Sequence, residues 1–122
     1  MTPAAFRRLA MSRPEAEESA HMGHPDFRVG GKVFATLGYP GAGWAMVKLP
    51  AEEQAAFVAM QPDVFVPAKG AWGRAGSTLI VLRKAKQAAV RAALAAAWES
   101  IAAGPSGGRG PRTRRRRPRP GS

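Results

Sequence analysis

Residues 27–49, FRVGGKVFATLGYPGAGWAMVKL, form three short segments of alternating polarity separated by glycine-rich breaks. A small antiparallel meander fits that pattern: each segment has the period of a half-buried strand, and each break supplies residues suited to tight turns. Gly30-Gly31 reads as a two-residue hairpin, since primed turns require positive φ at both central positions. That turn sets Phe27 opposite Phe34. Gly38–Gly43 forms a second turn, and Trp44–Leu49 the third strand. Val33, Ala35 and Leu37, with Ala45, Val47 and Leu49, make one apolar face for helices to cover. The other face offers Lys32, Phe34, Thr36, Trp44, Met46 and Lys48.

Helical patterns flank this meander. Thr2 suits an N-cap and Pro3 the first helical position, so a helix is expected from about Pro3 to Ser12, with Phe6, Leu9 and Ala10 as its stripe. Pro14 stops it, and Glu15, Glu17 and Glu18 open an acidic connection through His21 and His24. Pro50 opens a second helix that carries Glu52 and Glu53 in its first turn, where the macrodipole favours carboxylates. Phe57, Val58 and Met60 are its buried side, and Pro62 ends it. Val64–Val66 reads as a short extended segment. Ala71–Arg74 and Ser77–Leu82 are expected to pair as a hairpin around Ala75-Gly76. A last helix from near Lys84 to about Ala103 repeats Val90, Leu94, Ala97, Trp98 and Ile101 at helical spacing.

Charge divides the chain. The net charge is +11, yet twelve of the nineteen Lys/Arg and all eight Asp/Glu lie in residues 1–103, a balance of +4. The remaining seven cations are the arginines of residues 104–122, which have no acid and no aliphatic or aromatic side chain. Such a segment cannot offset the entropy cost of ordering, so the expected organisation is one α+β domain, 1–103, and a disordered tail, 104–122. The absence of cysteine removes disulfides, thiolate nucleophiles and Cys-type zinc sites. The N-terminal residues show neither a secretory signal nor a membrane span, so the expectation is a cytoplasmic monomer.

Four groups of residues carry candidate polyanion chemistry. Arg114, Arg115, Arg116 and Arg117, with the other tail arginines, can neutralise phosphates; seven engaged guanidinium groups imply a salt slope of roughly −6 in log–log form. The entrance of the last helix places Arg83, Lys84 and Lys86, and further on Arg91, beside free N–H groups that favour phosphate. These cations equally fit an exposed turn that tolerates a small dipole penalty. The two hairpin turns are flanked by Arg28 and Lys32, and by Trp72 and Arg74; glycine lets backbone approach a phosphate while Arg or Lys adds charge-assisted hydrogen bonds. Trp72 fits a base-stacking wedge or a core anchor. The mixed sheet face with Lys32, Trp44 and Lys48 fits a platform for single strands or a peptide, or else a surface that a helix or the second hairpin covers while the lysines snorkel.

Other chemistries find less support. His21, His24 and Asp26 have a loose ligand spacing, but no further ligand cluster accompanies them, so the expectation is turn-capping histidines and no metal. An enzyme needs at least a nucleophile with a base, or a carboxylate pair in a cleft; the acids are expected mostly on exposed helix turns or in the Glu15–Glu18 connection, and neither a Walker nor a dinucleotide glycine pattern occurs. The chain therefore reads as a non-enzyme that needs no cofactor and shows no small-molecule substrate.

Three separated motifs carry a family resemblance: His24-Pro25-Asp26-Phe27-Arg28-Val29-Gly30-Gly31-Lys32-Val33-Phe34-Ala35, Trp44-Ala45-Met46-Val47-Lys48-Leu49, and Gly70-Ala71-Trp72-Gly73-Arg74. In order and spacing they resemble the MmcQ/YjbR family over roughly Pro3 to Ala102. The resemblance implies an α+β fold, α-β-β-β-α-β-β-α, in which an antiparallel sheet of about five strands has helices packed on one face, also similar to type III secretion chaperones. It further implies DNA gripped by two hairpin wings, and no catalytic residues. The leading expectation is a nucleic-acid-binding module, DNA before RNA. The alternative is a protein- or peptide-interaction module with a chaperone-like fold.

Overall fold

The computed structural model describes residues 1–103. Its elements in chain order are α1 (Pro3–Met11), β1 (Glu17–His21), β2 (His24–Val29), β3 (Lys32–Leu37), β4 (Trp44–Lys48), α2 (Ala51–Met60), β5 (Phe65–Pro67), α3 (Gly70–Arg74), β6 (Ser77–Val81), a 3-10 turn (Leu82–Lys84) and α4 (Gln87–Ala102). The strands form one antiparallel sheet in the order β1-β2-β3-β4-β6-β5. The α+β architecture is as expected, with six strands in place of about five.

The additional strand is β1, where the sequence suggested an acidic connection. It pairs with β2 through a two-residue turn at Met22-Gly23, whose φ values are 51° and 81°. Both central residues thus have the positive φ of a primed hairpin turn. The histidines do not cap a loop. His21 and His24 face each other across this turn as the last β1 and first β2 residues.

The Gly30-Gly31 turn has φ values of 60° and 81°, as its sequence predicts. The register beyond it differs. Phe27 pairs with Ala35 and Arg28 with Val33, which leaves Phe34 as the extra residue of a bulge. A bulge resets the alternation of side chains. Phe34 consequently joins the hydrophobic core, fully buried, and does not belong to the mixed outer face. Lys32 likewise lines a groove with Val29, Trp98 and Ile101.

The second predicted hairpin is also built differently. Ala71–Arg74 belongs to α3, a helical turn, and the antiparallel partners of β6 are β5 and β4. The reason is a close approach: a Cβ on Gly73 would lie 1.8 Å from the Ala68 carbonyl oxygen. Only glycine allows the turn to pack down on that backbone.

The core lies between the sheet and helices α1, α2 and α4. Thr2 caps α1, its side chain accepting the Ala5 N–H at 3.1 Å, and the helix buries Phe6 and Ala10 one turn apart. Phe6 meets Phe27 edge-on, with ring centroids 6.1 Å apart. α4 buries Val90, Ala93, Leu94 and Ala97, a stripe of helical period. Phe57 of α2 packs on Phe65 with a 5.0 Å centroid separation. On the sheet, the row Leu37–Ala45–Ile80–Phe65 faces these helices.

The opposite side carries the row Ser19–Asp26–Thr36–Met46–Leu79–Val66, one residue from each strand. Val33, Trp44, Met46, Val66, Leu79 and Val81 are partly buried and lie outside the hydrophobic core. Of the six residues expected there, Thr36, Trp44, Met46 and Lys48 share this face.

Candidate nucleic-acid interface

Antiparallel pairing gives the sheet two ends. At one, the Gly30 end, lie the β2–β3 turn, the C-terminus of β4 and the N-terminus of β6, because Val29 pairs with Lys32 and Lys48 with Ser77. The β5–β6 connection that contains α3 caps the same end, since Pro67 pairs with Thr78. Arg28, Lys32, Lys48, Trp72 and Arg74 therefore lie at that end, spread across β2, β3, β4 and the β5–β6 connection. At the other end, Trp44 pairs with Val81, and Arg83 and Lys84 follow on the 3-10 turn. Five residues of β6 separate the two groups, about 17 Å at the rise of a strand. The hairpin cations and the helix-entrance cations do not share one end.

Each residue has a distinct setting. Arg28 is engaged: its Nε donates to Asp26 Oδ1 at 2.8 Å and its Nη2 to Asp26 Oδ2 at 3.0 Å. Asp26 is fully buried and also meets His21 Nδ1 at 2.6 Å. The Arg28 hydrogen bond is the main reason the Asp26 carboxyl titrates below its usual range; the His21 contact adds to this and burial opposes it. The same pair raises the Arg28 guanidinium above its ordinary value. Lys32 and Arg74 are exposed, and Lys48 is partly buried. Arg83, Lys84, Lys86 and Arg91 are all exposed, but α4 begins at Gln87, so Lys86 is its N-cap residue and the two preceding cations stand outside the helix. Arg114, Arg115, Arg116 and Arg117 lie outside the described residues.

Trp72 departs most from a core reading. It is 68% exposed. Gly73 occupies the inward position of α3, and its neighbour in a helix is turned about 100° away from that direction. Lys69, the extended N-cap residue of α3 three positions before Trp72, is exposed too. Lys69 was not singled out from the sequence; its spacing from Trp72 was the available signal, hidden because residues 71–74 read as extended.

Two further features frame this end. The Gln54 side-chain amide donates to Gly73 O at 3.1 Å, Ser77 O at 3.2 Å and Thr78 Oγ1 at 3.0 Å, which ties α2 to both sides of the α3–β6 junction. A shallow groove of about 500 Å³ lies between Pro14, Val29, Gly30, Lys32, Trp98 and Ile101. It places the C-terminus of α4 beside the β2–β3 turn, so residues 104–122 are joined to the fold at the Gly30 end. Among the described residues, no group of three His, Cys, Asp or Glu is arranged to hold a metal ion. His24 packs edge-on against Tyr39 at 5.7 Å. Among the described residues, no helix is long and apolar enough to cross a membrane.

The architecture defines a small α+β protein, an open six-stranded antiparallel sheet with helices on one face and a cationic, tryptophan-bearing end. A protein-family model described as YjbR matches residues 11–100, and the chain belongs to that family. A comparison with curated proteins returns no match.

Proposed function

We propose that this chain is a non-enzymatic, cytoplasmic nucleic-acid-binding module that holds phosphates at the Gly30 end of its sheet. The observation that carries the reading is the exposed Trp72 beside Lys69 and Arg74, at the sheet end that also bears Lys32 and Lys48. An exposed indole with a lysine three residues before it and an arginine two residues after it matches a base with its flanking phosphates. Arg28 serves mainly to order β2 by binding Asp26. The arginines of residues 104–122, attached at this same end, add sequence-blind attraction. DNA is the leading ligand and RNA the variant of the same chemistry.

Titration of residues 1–103 and of the full chain with oligonucleotides at several salt concentrations tests the proposal. All described elements lie within 1–103. The fragment is expected to bind with a slope of about −4, as four phosphate contacts dictate, and the full chain with a slope steeper by up to about 6. No binding by the fragment at low salt would sink a role for the folded part.

A second reading has its own observation. The apolar row Met46–Leu79–Val66, with Trp44 and Val81 beside it, fits a polypeptide partner on the outer sheet face. Peptide binding that is lost in Met46→Asp and survives nuclease treatment distinguishes this reading from the first.

A further inference from the structure

We infer that the Trp72 indole is the stacking platform for one unpaired nucleobase, so that the ligand of the Gly30 end is single-stranded nucleic acid. The inference rests on the nucleic-acid reading above and narrows its ligand class.

Trp72 differs from the other two tryptophans. Trp98 donates its indole N–H to Pro14 O at 2.9 Å and lies under the Arg13 guanidinium, 5.6 Å from the ring centre. Trp44 is partly buried in the sheet. Trp72 instead presents most of its surface to water, and its backbone is anchored on both sides. Ala75 N donates to Ala71 O at 2.9 Å and Gly76 N to Gly73 O at 3.0 Å, while Gln54 holds Gly73 and Ser77 from α2. The ring cannot exchange places with its neighbour, because the inward position has no space even for a methyl group. An exposed indole on an anchored backbone loses unfavourable hydration when a flat apolar surface covers it, without first giving up backbone freedom.

The surrounding charges suit one strand. Lys69 is the N-cap residue that leads into the turn of Trp72, Arg74 follows on the other side of Gly73, and Lys48 pairs with Ser77, the first β6 residue after that turn. Base-pair faces inside a duplex are closed by their neighbours, and wedging a side chain between them costs a few kcal/mol of unstacking. α3 has only five residues, which is too short to lay a reading face along a groove. An unstacked base offers its face at no such cost.

The test uses the full chain at low salt. Its ligands are oligo(dT) and oligo(rU) of about twelve nucleotides, within the span that single-strand sites cover, an abasic strand of equal length and a duplex. Trp72→Ala, checked for an unchanged melting temperature, is expected to weaken oligo(dT) and oligo(rU) by about 5- to 100-fold, and to change abasic-strand and duplex binding by less than about twofold. Trp72→Phe should retain most of the affinity. Oligo(dT) and oligo(rU) report whether the sugar is distinguished; loss on either, without loss on the abasic strand, supports stacking. Should Trp72→Ala leave both unchanged, or weaken all four ligands alike, stacking is overturned while the phosphate reading survives. A wild-type chain that binds none of them overturns both.

Discussion

The Leu49 N–H donates to the Gly76 carbonyl at 2.9 Å, and the Leu49 carbonyl oxygen lies 2.1 Å from where a Cβ on Gly76 would fall. This contact closes the β4–α2 junction against the entry to β6, beneath the turn that presents Trp72. Gly76 also has φ of 110°, outside the range of ordinary L residues. Gly76→Ala is expected to destabilise the fold by about 3 kcal/mol or more, since strain and a backbone clash combine. Gly31→Ala meets open space at a φ of 81° and should cost only about 1–2 kcal/mol. Urea denaturation of the two variants checks the difference, and equal losses would contradict it.

Asp26 makes stability depend on acid. Its folded pKa lies below the ordinary 3.8, chiefly through the Arg28 hydrogen bond. The unfolded chain therefore binds this proton at higher pH than the folded chain does, and stability rises with pH across that interval. The contribution is fully present above about pH 4 and is lost as pH falls through the depressed value. Asp26→Asn should be less stable than wild type by about 1–3 kcal/mol at neutral pH, with the gap narrowing toward pH 2. Thermal melts from pH 7 to pH 2 measure it; a gap that stays constant would refute the assignment.

Gln54 links α2 to the α3–β6 junction, about twenty residues further along the chain, with one amide. Gln54→Ala leaves Gly73 O and Ser77 O without this donor and should cost about 1–2 kcal/mol. The loss should be local. Hydrogen exchange is expected to accelerate at Ala75 and Gly76, whose amides close the α3 turn, and to stay slow at Val90–Ala97 in α4.

The separation of the cation groups predicts different salt responses. Lys69→Ala and Arg74→Ala in the 1–103 fragment should each reduce the magnitude of the salt slope by about 1. Arg83→Ala and Lys84→Ala, at the far end of β6, should leave it unchanged. Equal effects from all four variants would mean that no particular end of the sheet holds the phosphates.

Local physics made much of this protein legible from its residues. The Gly30-Gly31 hairpin, the Thr2–Pro3 start of α1, the apolar stripe of α4 and the inward Ala45, Val47 and Leu49 all follow from φ preference, capping or periodicity within a few residues. The outcome at β1 turned on Met22-Gly23, a turn whose first residue is a poor signal for positive φ. The Phe34 bulge and the fate of Trp72 depended on contacts that no short window contains. Gly73 packs on Ala68, Gln54 reaches it from another helix, and a helical turn replaces the expected strand. Burial of Asp26 likewise tied up Arg28, which by composition alone looked available for phosphate. The distribution of charge was decided by strand order: insertion of β6 between β4 and β5 puts Lys48 opposite Ser77, at the end that α3 caps, and sends Arg83 and Lys84 to the opposite end. Sequence determined which segments turn, cap and alternate, because those preferences are local; tertiary pairing decided which cations share an end of the sheet, because that requires residues far apart in the chain to meet.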